Sequence, residues 1–168
     1  MATDLPPMYT DTPLAVLHTP QFEMGETDPF TVEAFHMVLS HNSFIRGFNS
    51  IYQQAPRVPP ADKADFVGYC IAWHDCVDAH HRYEETELFP NINKAASRTD
   101  LMNTAVDEHA TFHGGMERMK AYLEKKRANF LAAELIAILD SFKDALYSHL
   151  KAESPSIVAL KQYNRETN

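Results

Sequence analysis

The chain has 168 residues, 45% hydrophobic and 23% charged, proportions that suit one folded domain with an ordinary core and exclude a disordered polyelectrolyte. With 15 Lys and Arg against 23 Asp and Glu, the net charge of −8 gives no general attraction to nucleic acid or to an anionic membrane. The longest apolar run, residues 66–73, is interrupted by Gly68 and falls far short of the ~20 residues of a bilayer span.

The first ten residues carry Asp4, Pro6 and Pro7 and no basic stretch leading into an apolar one. That composition predicts neither a secretory leader nor a transit peptide, and a cytoplasmic protein. Residues 1–29 hold Pro6, Pro7, Pro13, Pro20 and Pro29 without a sustained period, which predicts an extended arm over the domain surface rather than a helix. From residue 30 to 160 the chain breaks only around Pro56, Pro59 and Pro60, at residues 90–98, and more weakly at 126–129. The four intervening segments repeat apolar residues at three and four, the helical period, and none alternates as a strand does. Short connections make successive helices antiparallel neighbours. The expected fold is therefore all-α, an up-down-up-down four-helix bundle over residues 30–160 with a short tail at 161–168.

The first helix has a core stripe of Ala34, Val38, His41, Ile45, Phe48 and Tyr52, so His41 interrupts an apolar seam, while His36 falls on a small polar face. In the second, the cleanest line is Phe66, Cys70, Trp73, Val77, His80, Glu84 and Leu88. Residues four apart share a face, which points His80 and Glu84 inward together. The adjacent pair His81 and Glu85 lies on a stripe that turns polar earlier and is expected at the flank. Cys70 and Cys76, six apart, face different ways, so no disulfide is expected. The third helix reads Met102, Val106, His109, His113, Met116 and Leu123, and the fourth Leu131, Leu135, Ile138, Phe142, Ala145, His149 and Glu153.

Counted at 1.5 Å per residue from the helix ends that meet at one end of the bundle, His41, the His80 and Glu84 pair and the His109 and His113 pair fall about eleven or twelve residues in. His149 and Glu153 reach the same level from the fourth helix. Seven ionisable groups buried in one layer without compensation would cost several kcal/mol each, more than a net stability of about 5 to 15 kcal/mol absorbs. Bound cations resolve the cost. Seven ligands exceed the four of a structural zinc site, and two ions bridged by Glu84 and Glu153 fit the count. Imidazole with carboxylate suits iron, and the lack of cysteine ligation argues against an iron–sulfur cluster. One coordination position is left open, where dioxygen could bind.

The order His41, then His80 and Glu84 four apart, then His109 and His113, then His149 and Glu153 resembles the hemerythrin-like, or His-His-Glu cation-binding, family. The phrases His80-His81-Arg82-Tyr83-Glu84-Glu85, Leu88-Phe89-Pro90 and Glu108-His109 support it. The surroundings of His41-Asn42 and Asn49-Ser50-Ile51-Tyr52 resemble small stand-alone members from filamentous fungi. The resemblance implies a non-haem di-iron centre, two iron ions with a bridging oxo or hydroxo group, and dioxygen or another small molecule as ligand. Oxygen carriers of marine invertebrates have an Asp five residues after the last histidine, whereas Glu153 follows His149 by four. Three functions stay open: reversible dioxygen binding, as the leading one; oxidation of a small organic substrate or reduction of peroxide or nitric oxide; and iron or oxygen sensing without turnover. Ile45, Phe48, Phe112, Met116 and Leu146 are expected to wall the site off from water.

Overall fold

The structure, a computed structural model, describes residues 10–163; the first residues of the arm and the last of the tail lie outside them. Among the described residues six α-helices run in chain order: α1 Pro20–Met24, α2 Pro29–Gln54, α3 Lys63–Tyr83, α4 Phe89–Ala95, α5 Asn103–Lys126 and α6 Ala132–Ala159. A π turn, Glu84–Leu88, joins α3 to α4, so the two form one long rod. No strand occurs among the described residues. The rods close a ring in which α2 packs on α3 and α6, and α5 on α3 and α6, the all-α bundle expected from the periodicity. None of the described helices is long and apolar enough to cross a membrane.

Local signals explain where the rods begin. Asp28 caps α2, its side chain accepting from the backbone N–H of Phe30 and Thr31 at 3.1 and 3.2 Å, and Pro29 occupies the first turn, where its missing N–H is harmless. Pro90 has no N–H to continue a regular ladder, and the wide turn that starts at Glu84 precedes it. Such π turns cluster at functional positions.

The described part of the arm before residue 20 has neither helix nor strand, and the chain then forms the short helix α1, which the proline content alone does not predict. Thr19 Oγ1 accepts from Phe22 N–H to start it. Gly25, at φ 67°, ends it, a left-handed conformation that favours glycine. Two asparagines seven apart on α2 hold the arm like rungs. Asn49 bonds the N–H and C=O of Leu14 at 2.9 and 2.7 Å, and Asn42 those of Leu17 at 2.7 and 2.9 Å.

The core joins Ile45, Phe48, Trp73, Phe112, Met116, Leu139, Phe142 and Leu146, each such buried side chain contributing about 1.5–3 kcal/mol. Two glycines set how closely the rods approach. A Cβ on Gly47 would stand 2.3 Å from Trp73 Cδ1, and one on Gly115 2.4 Å from Phe142 Cβ. Cys70 is buried and Cys76 exposed, and both are free.

Candidate metal centre

The polar layer sits at one level of this core, where α2, α3 with its π turn, α5 and α6 each bring a seam position inward. His41, Glu84, His149 and Glu153 are fully buried, with His81 and His109 almost so. Their ligand atoms form two groups, each with all atoms within 4.8 Å of one another: His81, Glu84, His109 and His149, and His41, His80, Glu84 and Glu153. Glu84 belongs to both. Its Oε1 lies 2.8 Å from His80 Nε2 and its Oε2 3.4 Å from His109 Nε2. Glu153 also stands between the groups, with Oε2 3.3 Å from His41 Nε2 and 3.6 Å from His149 Nε2.

Six of the seven residues expected from the sequence, His41, His80, Glu84, His109, His149 and Glu153, are thus brought together. His113 is not among them. Its side chain is 54% exposed on the outside of α5, 3.4 Å from Asp78. The buried face of α5 comprises Ala105, His109, Phe112, Gly115, Met116, Met119 and Leu123, and at 100° per residue His113 points roughly 90° from its centre. His81, expected at the flank, takes the vacated place. On α3 the buried face is two residues wide, with Phe66 and Val67, then Trp73 and His74, recurring at sevens. His80 and His81 are the next such doublet, four and three residues before Glu84, so both turn toward it. That seven-residue doublet was the available sequence signal. Of the flank pair, Glu85 stays half exposed and accepts from His109 Nδ1 at 2.7 Å.

Three imidazoles are oriented from behind. His41 Nδ1 donates to Leu150 O at 2.8 Å, His109 Nδ1 to Glu85, and His149 Nδ1 to Glu108 Oε2 at 3.1 Å. Each bond fixes the tautomer that turns Nε2 into the site, the arrangement typical of metal-ligating histidine. The inner nitrogens then face one another, His109 Nε2 against His149 Nε2 at 3.1 Å and His80 Nε2 against His41 Nε2 at 3.4 Å.

The electrostatics match a cation-ready pocket. Burial, reinforced by neighbouring imidazoles, pushes His81 down to about 2 and His149 down to about 3, so both are neutral at physiological pH. Burial acts to raise Glu84, but the contacts from His109 and His80 outweigh it and hold the carboxyl below its ordinary range. Burial likewise opposes protonation of His109, yet Glu84 and Glu85 raise it. The short distances at Glu84 do not line up as hydrogen bonds. All four oxygens of Glu84 and Glu153, and His81 Nε2, are buried without a hydrogen-bond partner. Orphans of this kind are expensive, and five imidazoles with two carboxylates are the donor set that suits borderline divalent metals. The residues therefore fit a metal. Aromatic rings close around them: Phe112 lies 5.1 Å from His81 and 5.5 Å from His149, Phe44 5.0 Å from His80, and Phe89 stacks on His109 at 5.9 Å. Phe112 was anticipated in this wall; Phe44 and Phe89 were not.

The hemerythrin HHE cation binding domain matches residues 34–158, from the start of the α2 stripe to the end of α6. The chain belongs to the hemerythrin HHE cation-binding family. It is also 37% identical over 158 residues to the dimeric xanthone biosynthesis cluster protein R11 of Cryptosporiopsis sp. (strain 8999), across 92% of this chain and 60% of that relative. The chain thus spans about 60% of the length of this fungal relative. No solved structure gives a significant match. In this family member the metal-ready layer is the set of seven side chains just described.

Proposed function

We propose that the chain is a non-haem di-iron protein that takes up dioxygen, its two irons held by His81, His109 and His149 on one side and by His41 and His80 on the other, with Glu84 and Glu153 between them. The observation that carries this reading is the sharing of Glu84 by two buried ligand groups whose carboxylate oxygens have no hydrogen-bond partner. Two ferrous ions held there would supply the electrons and the open position that dioxygen needs. The chain's own part is to hold imidazoles by the backs of their rings and to exclude water with Phe44, Phe89 and Phe112. Two free cysteines suit a reducing, cytoplasmic setting.

A second reading is favoured by the relative, whose name places it in a biosynthesis cluster: the same centre would oxidise a small organic molecule. Anaerobic loading with ferrous iron followed by oxygen exposure separates the two. Oxygen uptake is expected to give about two irons per chain and a visible absorption band that vanishes when oxygen is withdrawn, over repeated cycles. Irreversible bleaching to ferric protein, or one four-coordinate zinc per chain, overturns the carrier reading; sustained oxygen consumption with a reductant and an aromatic substrate supports the second.

A further inference from the structure

We propose that a second, solvent-facing cation site, for a divalent transition metal of the zinc type, lies between α3 and α5 and is built from Asp78, His113 and Glu117. His74 and Asp78 are four apart on α3, and His113 and Glu117 four apart on α5, so each helix presents one imidazole and one carboxylate on a single face. The two pairs meet across the helix interface. His113 Nε2 stands 3.4 Å from Asp78 Oδ1 and 4.0 Å from Glu117 Oε1, and His74 Nε2 stands 3.1 Å from Glu117 Oε1. Ligand atoms on a tetrahedral ion, bound at 2.0–2.2 Å, lie about 3.4 Å from one another. The ligand atoms of Asp78, His113 and Glu117 already lie within 4.8 Å of one another.

The second observation is the setting of His74, which is 2% exposed. Its Nδ1 lies 3.0 Å from Asp75 Oδ1, and Lys120 Nζ holds that same oxygen at 2.7 Å. His74 Nε2 is hydrogen-bonded to Glu117 Oε1 at 3.1 Å, so the buried ring holds that carboxylate from behind, the kind of support that orients metal ligands. Asp75, Asp78 and Glu117 outweigh Lys120 by two negative charges, which one divalent ion balances. An Nε2 to Oδ1 separation of 3.4 Å is long for a hydrogen bond, and an ion between the two groups satisfies both. This donor set shares no residue with the buried layer.

The test counts zinc on the folded chain, by equilibrium dialysis against Zn²⁺ and elemental analysis, for wild type, His113→Ala and Asp78→Asn. Both substitutions are at partly or fully exposed positions, so folding is retained and checked by helicity. Each variant is expected to bind one zinc equivalent fewer than wild type, or to bind it at least about tenfold more weakly. Zinc at about 100-fold excess over its Kd is expected to raise the wild-type Tm by roughly 5–10 °C more than that of His113→Ala. Equal zinc content and equal Tm shifts in all three proteins overturn the proposal. So does a loss of buried iron, instead of outer zinc, in His113→Ala.

Discussion

Replacing His81 by alanine should cost the buried centre metal, whereas replacing His113 should not. His81 is 7% exposed and its Nε2 has no hydrogen-bond partner, so in the metal-free protein the substitution removes an orphaned polar atom and changes stability little. In the loaded protein it removes one of four donors from a group that also contains Glu84, His109 and His149. Loss of an outer support already weakens metal sites 10- to 100-fold, so loss of a donor is set at about 100-fold or more, or about 2.8 kcal/mol at about 1.4 kcal/mol per decade. For a chain of this length each kcal/mol is about 2–4 °C of Tm, giving a fall of roughly 5–11 °C at fixed metal excess. His113→Ala, at a 54% exposed side chain, is expected to shift stability by no more than about 0.5 kcal/mol in the absence of zinc. Iron per chain by elemental analysis, with melting curves before and after chelation, reads both. Two irons retained in His81→Ala and lost in His113→Ala would refute the assigned rotation of α3 and α5.

Glu85→Gln and Glu108→Gln should each weaken iron binding by about 10- to 100-fold while leaving the metal-free fold intact, measured by competition with a chelator. Gly47→Ala places a Cβ 2.3 Å from the ring of Trp73 and should destabilise by about 1–3 kcal/mol; because Trp73 is the single tryptophan, its fluorescence reports both the shift and the unfolding midpoint. For metal-free protein, His81 and His149 are held near 2 and 3 against an ordinary 6.5, so as pH falls below about 6.5 the unfolded chain takes up protons that the folded chain refuses. Stability therefore falls toward acid by up to about 1.4 kcal/mol per pH unit for each group. The raised His109 has the opposite sign, but its contribution is fully present below 6.5 and adds no slope there. A urea midpoint that is flat or rising from pH 6.5 to 5 would contradict this.

Much of this protein was readable from the chain. Apolar residues recurring at three and four define four rods, and because a helical period fixes which residues share a face, His41, Glu84, His109, His149 and Glu153 could be placed on core stripes and at one height. The short helix α1 was hidden because Pro20 reads as a breaker in composition yet suits the first turn of a helix once Thr19 caps it. The three-and-four period does not separate His81 from His113, and the seven-residue doublet on α3 is the one sequence sign that His81 turns inward. Both lie within one residue of a stripe's edge, and which edge turns inward depends on how each rod is rotated against its neighbours. That rotation is a matter of contact. Gly115 lets α5 press one flank onto Phe142 of α6, and Gly47 receives Trp73 of α3, so α5 turns His113 to solvent and α3 turns His80 and His81 together toward Glu84. The sequence by itself determined the rods, their faces and the kind of ligands they carry; only packing between rods decided which seven side chains meet, because helix rotation is set by the sizes of residues that touch across the core.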